Sequence, residues 1–244
     1  MRARYGVVEA LLIFRTRDAV QAALDHTRDM LRLCRGDNLG VRGLMPALYL
    51  RLGQDQDCYD FIKWWATCDP DGHYDWGNTD LTYLDIHGAD VFEPVERCMP
   101  DYALNHRIAL TLLKVKLLLD LKTLQNAGAI GEKVPQEILD SIRGQLVSPV
   151  IASNADLLKT ITTGKSLNTY LDTVNDQVET MYKAVDEDNK HFWPAVLSPG
   201  HHLTARPPYT SHGDVSEMQL ALQYSYNAWV ETPGAIDAIR RLMG

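Results

Sequence analysis

Three stretches of the sequence carry residue types that do chemistry. Thr162 to Ser166, TTGKS, contains the Gly-Lys-Ser triplet that in a phosphate loop supplies backbone amides, an ammonium and a metal-binding hydroxyl. Such a loop also needs a glycine five residues ahead of Gly164 and a preceding strand, but Lys159 stands there and the surrounding pattern is helical. A turn followed by a helix capped by Ser166 accounts for the triplet. Asp69 to Asp80, DPDGHYDWGNTD, has the composition of a calcium loop. With Gly72 at the sharp turn, however, the frame places Thr67 first and Asn78 last, where Asp and a bidentate Glu are required. His191, His201, His202 and His212 lie in one segment without a His-x-x-x-His helix or a nearby cysteine, a pattern of loop histidines bonded to backbone carbonyls. No nucleophile elbow and no nucleophile, base and orienter set stands out, so no catalytic, metal or cofactor-binding residue is assigned.

A different chemistry, recognition by aromatic and guanidinium groups, is better represented. Trp64 and Trp65 are adjacent, and adjacent helical residues point about 100° apart. Core packing of both is the plainer reading of two large aromatics; alternatively one fills the core while the other faces a groove or the acidic stretch that follows. Arg42, Tyr49, Tyr59, Trp65 and Trp76 are the residues expected to contact a partner.

The elements that position these residues read as helices throughout. Asp18 caps a helix over 18–33, a second runs from Leu39 to Leu52, and a third from Gln54 to Thr67. Gly53 provides the turn between the last two, and Pro46 predicts a kink or a late start. Residues 103–126 form a long helix ending at Gly128, with leucines on nearly every side, which must be covered on more than one face. A shorter helix follows Pro135, with Ile138, Ile142 and Leu146 spaced by four. Ser166 then caps an amphipathic helix whose stripe is Leu167, Tyr170, Leu171, Val174, Val178, Met181, Tyr182 and Val185. Phe192 to His212 reads as proline-rich loop, Asp214 with Glu217 as a capping box for a helix to about Trp229, and Thr232-Pro233 as the start of a last helix with Ile236, Ile239 and Leu242 inward.

Between these helices, residues 69–101 lose periodicity but keep Tyr74, Trp76, Tyr83 and Phe92. We expect an ordered, irregular loop held by its rings, with its carboxylates outward. This loop has nine acids against Arg97 alone, a net −8 that equals the charge of the whole 244-residue chain. The remainder is neutral, so there is no basic stripe for nucleic acid or an anionic membrane. A basic protein or peptide is the partner such a loop selects. The N-terminal apolar run is too short to span a bilayer and lacks a cleavage site. The four dispersed cysteines suit reduced thiols in an intracellular, cytoplasmic or nuclear protein. Cys34 to Arg42, CRGDNLGVR, includes an Arg-Gly-Asp triplet, but its residues have structural work as a turn: Gly36 ends one helix, Asp37 or Asn38 caps the next, and Gly40 allows its close approach.

Asp37 to Trp65, DNLGVRGLMPALYLRLGQDQDCYDFIKWW, resembles a helix pair of tetratricopeptide-like proteins: an Asp-Asn-x-Gly-x-Arg opening, a leucine-rich helix, a Leu-Gly turn and a second helix. NKHFWPAVLSP (Asn189 to Pro199) and AWVETPGAIDAIRRL (Ala228 to Leu242) resemble later blocks of the same family, in fungal members of which the region can accompany a MYND-type zinc finger. The finger's clustered ligands are absent and the ordinary 34-residue consensus does not recur. The resemblance implies a divergent tetratricopeptide-like solenoid: one all-α unit over 1–244, with a helix pair at 18–67, the acidic insertion at 69–101, central helices at 103–148 and C-terminal helices at 166–244. It implies a non-enzymatic protein–protein interaction role. The rival is a metal-dependent enzyme joining the acidic loop to the His201 to His212 segment; a third reading is a structural subunit. The helix at Met1 begins without a capping residue, which suggests a fragment or a shortened gene model.

Overall fold

The computed structural model describes residues 1–99, 104–128, 136–163 and 165–244, and among them there are helices and no strand. In chain order the α-helices are α1 (Arg2–Ile13), α2 (Arg17–Leu33), α3 (Met45–Arg51), α4 (Asp55–Thr67), α5 (Leu104–Gly128), α6 (Gln136–Gln145), α7 (Pro149–Ala152), α8 (Ala155–Thr163), α9 (Asn168–Asp188), α10 (Phe192–Leu197), α11 (Val215–Glu231) and α12 (Ala235–Leu242). The fold is all-α, as the periodicity required.

Local signals explain most boundaries. Thr16, rather than Asp18, caps α2: its hydroxyl accepts from Ala19 N, and Asp18 sits in the first turn, where its charge favours the helix dipole. Pro46 delays α3 rather than kinking it, because a proline is tolerated only where its missing N–H is an orphan anyway; a single 3-10 turn, Val41–Gly43, precedes the helix. Gly53 takes φ +71° between α3 and α4. The cap of α11 forms as written, with Asp214 accepting from Glu217 N and Glu217 accepting from Gly213 N. Ser166 accepts from Asn168 N one residue ahead of the formal cap, Leu167. Thr232 ends α11, and Gly234 at φ +81° precedes α12, in which Ile239 is buried and Ile236 and Leu242 are half-buried. The segment read as loop from Phe192 contains α10, with Phe192 and Trp193 fully buried. Helices α7 and α8 were not anticipated. Pro100 to Ala103, Pro135 and Gly164 lie outside the described residues.

The architecture is organised around α5. Every residue from Ile108 to Leu118 is buried, and α3, α4, α6, α7, α8, α9, α11 and α12 all pack on this helix. Helix α9 runs antiparallel to it, tied by Arg107 to Asp188 at one end and Gln125 to Asn168 at the other. On its stripe Val174, Val178, Met181 and Val185 are buried, and Tyr170 is exposed. Arg4 of α1 reaches His26 and Asp29 near the end of α2, so that pair is antiparallel too. Remote segments also meet: Tyr5 and Tyr224 share a hydrogen bond of 2.9 Å, and Arg51 grips Glu231 through two of 2.8 and 2.7 Å.

Burial of the middle of α5 requires that the charged side chains enclosed there find partners inside. Lys114 donates to the Val91 carbonyl and lies over the Tyr59 ring; Lys116 pairs with Asp55, whose second oxygen has no partner; Asp120 accepts from the amides of Val147 and Ser148. Removing one member of a buried pair strands the other's charge. Lys116→Met is therefore expected to lower unfolding free energy by about 3–5 kcal/mol in a urea titration, and Asp55→Leu/Lys116→Met to recover most of that loss.

Candidate functional site

The turn from Cys34 to Arg42 builds one side of the site. Asp37, at φ +52°, turns its carboxylate onto the amides of Val41 and Arg42 at 2.8 and 2.9 Å. Gly40 follows at φ +71°, a conformation glycine adopts freely, but nothing packs within 4 Å of its would-be Cβ. The close approach is at Gly43 instead, where a Cβ would stand 2.8 Å from the Asn105 amide. His106 then fixes the turn from below: its Nε2 donates to the Arg42 carbonyl at 3.2 Å, and its ring meets Phe61 edge-on. Arg35 reaches the other way, donating to the carbonyls of Asn78, Thr79 and Leu81 while its guanidinium covers Tyr83. The Arg-Gly-Asp residues are thus consumed by this joint between α2, α3 and the acidic loop.

The loop supplies the other side. Asp60 of α4 accepts from the amides of Gly88 and Ala89, Gln177 of α9 donates to the carbonyls of Phe92 and Glu93, and Trp64 donates from Nε1 to Asp85 at 2.9 Å. Its aromatic rings pack as expected, but its carboxylates do not all face outward. Glu93 is 9% exposed and takes bonds from Tyr59 and Lys63, which hold its carboxyl below the usual range against the opposing pull of burial. Asp69, Asp75 and Asn78 bond to the backbone amides of Tyr74, Gly77 and Asp80, closing local turns.

Between the two sides lies an aromatic stack. Trp65 and Trp76 are parallel at 5.3 Å, the Arg42 guanidinium lies 4.6 Å from the Trp65 ring centre, and Trp64, Tyr74 and Tyr83 surround them. Trp64 is buried while Trp65 and Trp76 are half-buried, so the adjacent pair divides between core and face. Roughly half of the Arg42 side chain, 47%, is exposed, and Trp65 Nε1 has no hydrogen-bond partner. Three of the five expected contact residues, Arg42, Trp65 and Trp76, therefore come together.

Tyr49 and Tyr59 do not join them. They are 5% and 0% exposed: Tyr49 lies beneath Arg28 and against Phe61, and Tyr59 faces Lys114 and Glu93. Helical phase places both on the inner side of their helices, so they are core residues; the rings packed behind Trp65 are Phe61 and Trp64. Sequence reasoning missed Arg35 and Tyr83; the Arg-Gly-Asp triplet had drawn attention to the turn without showing where its arginine went.

The remaining sequence candidates are dispersed. The rings of His201 and His202 adjoin, His202 meets Gln219, and His212 meets Glu217. Among the described residues no three His, Cys, Asp or Glu side chains converge to hold a metal. The four cysteines are free thiols. Among the described residues no helix is long and apolar enough to cross a membrane.

His106 links the site to stability. Burial pushes its imidazole down to about 4 from 6.5. The folded state thus refuses a proton that the unfolded chain accepts, so the stability held above pH 6.5 drains away as pH falls toward about 4. Asp120, pushed up to about 6 by burial, drifts oppositely over part of that range, so the comparison must be with a variant. In urea titrations the acid loss of wild type should exceed that of His106→Gln by up to roughly 3 kcal/mol.

No family model, no curated protein and no solved structure matches this chain, so its function must be argued from this arrangement of residues.

Proposed function

We propose that the chain is a non-enzymatic interaction module that holds a basic segment of a partner protein against Arg42, Trp65, Trp76 and the acidic loop. One observation carries the reading: a half-exposed Trp–Trp–Arg stack rests on Phe61 and Trp64, and the acidic loop that supplies Trp76 carries exposed carboxylates, among them Asp71 and Asp75. Tryptophan and arginine dominate binding energy where they are packed from behind and open in front. The Trp65 ring is held by Trp76 and Phe61 before any partner arrives, which lowers the ordering cost of association. The carboxylates attract Lys and Arg side chains and steer the encounter.

The reading is compatible with a divergent tetratricopeptide-like origin, for which the packed pairs α1–α2 and α3–α4 are the support. Intracellular placement belongs to the same proposal. We assign no catalytic residue and no cofactor.

The test is a peptide array of matched hydrophobicity in which only the sign of charge varies. Lys/Arg-rich peptides should bind, with affinity falling as salt rises. Trp76→Ala should weaken binding by about 2 kcal/mol, and Asp71→Lys/Asp75→Lys should abolish the preference for basic peptides. Equal binding of acidic and basic peptides would refute the proposal.

A further inference from the structure

A second concavity, independent of the aromatic stack, opens where the two ends of the chain meet. It encloses about 300 Å³ between α1, α3, α11 and the short Gly200–Leu203 turn. Leu12, Leu44, Leu48 and Leu203 give it an apolar wall, and Tyr5, Tyr224 and Tyr226 line the remainder.

The polar groups around it are mostly donors. Tyr5 and Tyr224 share one hydrogen bond, so of their two hydroxyl protons one is spent on the other oxygen and one is left over. Arg15, at the mouth, has no hydrogen bond or ion pair among the described residues, and its backbone is at φ +53°, a conformation that arginine adopts only at a cost. Arg206 spends one nitrogen on Gln223 and the Ala205 carbonyl, leaving its other N–H groups unused. Arg51 also lines the space, but Glu231 already neutralises it. Glu9 is the sole carboxylate in the described wall. On a chain with net charge −8, two guanidinium groups without an ion pair among the described residues, over an apolar pocket, set a local sign opposite to that of the whole molecule.

We propose that this cavity binds a small amphipathic carboxylate, with the anionic head between Arg15 and Arg206, within reach of the spare tyrosine hydroxyl, and the apolar body against Leu12, Leu48 and Leu203. Planar guanidinium groups match a carboxylate's two oxygens, and a compact apolar tail fills the leucine wall. The site does not depend on the partner-binding face.

Isothermal titration of the full chain with phenylpropionate tests it, alongside phenylpropanol, phenylpropylamine, acetate and inorganic phosphate. Phenylpropionate should bind with Kd of about 1 mM or tighter, and the alcohol, the amine and acetate at least about tenfold more weakly. Arg15→Gln and Arg206→Gln alter exposed side chains, and each should weaken phenylpropionate about tenfold; Glu9→Gln should strengthen it. Trp76→Ala should leave it unchanged, which separates this cavity from the stack. Equal binding of the alcohol and the carboxylate, indifference to both arginine substitutions, or tighter binding of inorganic phosphate would overturn the proposal.

Discussion

The burial of α5 on all sides between Ile108 and Leu118 is the constraint on which the remaining helices depend. A helix that is apolar on every side is stable only inside other helices, and here neighbours from both halves of the chain provide the cover. The same burial encloses Lys114, Lys116 and Asp120, each of which must then be answered from another element: Val91 and Tyr59, Asp55, and the amides before α7. These polar contacts fix how α4, the acidic loop and the α6–α7 connection sit on α5. Leucines alone would press them together without setting a register.

The recognition face inherits its rigidity from that arrangement. His106 belongs to α5 and holds the Arg42 carbonyl; Tyr59 belongs to α4 and holds Glu93 of the loop; Gln177 of α9 holds the loop's backbone. The loop has hardly any regular structure, yet its carbonyls and amides are bonded by side chains from several helices. An aromatic stack set on such a frame presents a fixed surface, while its carboxylates stay wet at the rim.

Much of this was legible in the sequence. The leucines on nearly every side of α5 announced a helix covered on more than one face, and the aromatics of the acidic stretch announced an ordered loop. The 100° step between Trp64 and Trp65 allowed one to face outward, but the size of both rings pointed as readily to two core residues, and only the fold divides them. What stayed hidden depended on contacts remote in sequence. The phase of α4 puts Tyr59 on its inner side, but nothing local names Glu93 as its partner or marks Glu93 as the carboxylate that turns inward. Short helices such as α7, α8 and α10 fell below the length at which periodicity can be read. The cavity between α1 and α11 was beyond reach altogether, since Tyr5 and Tyr224 stand 219 positions apart.

That junction of the chain's two ends also bears on synthesis. Helix α3 is completed by α11, and Tyr5 and Arg51 wait for Tyr224 and Glu231. Helix α1 can pack on α2, and α3 on α4, as they emerge, but the side of α3 that meets α11 and the Tyr5 and Arg51 side chains stay open until α11 follows. The pairs of consecutive helices can therefore close in the order of synthesis, whereas the contacts that join α1 and α3 to α11, and with them the cavity they line, close last.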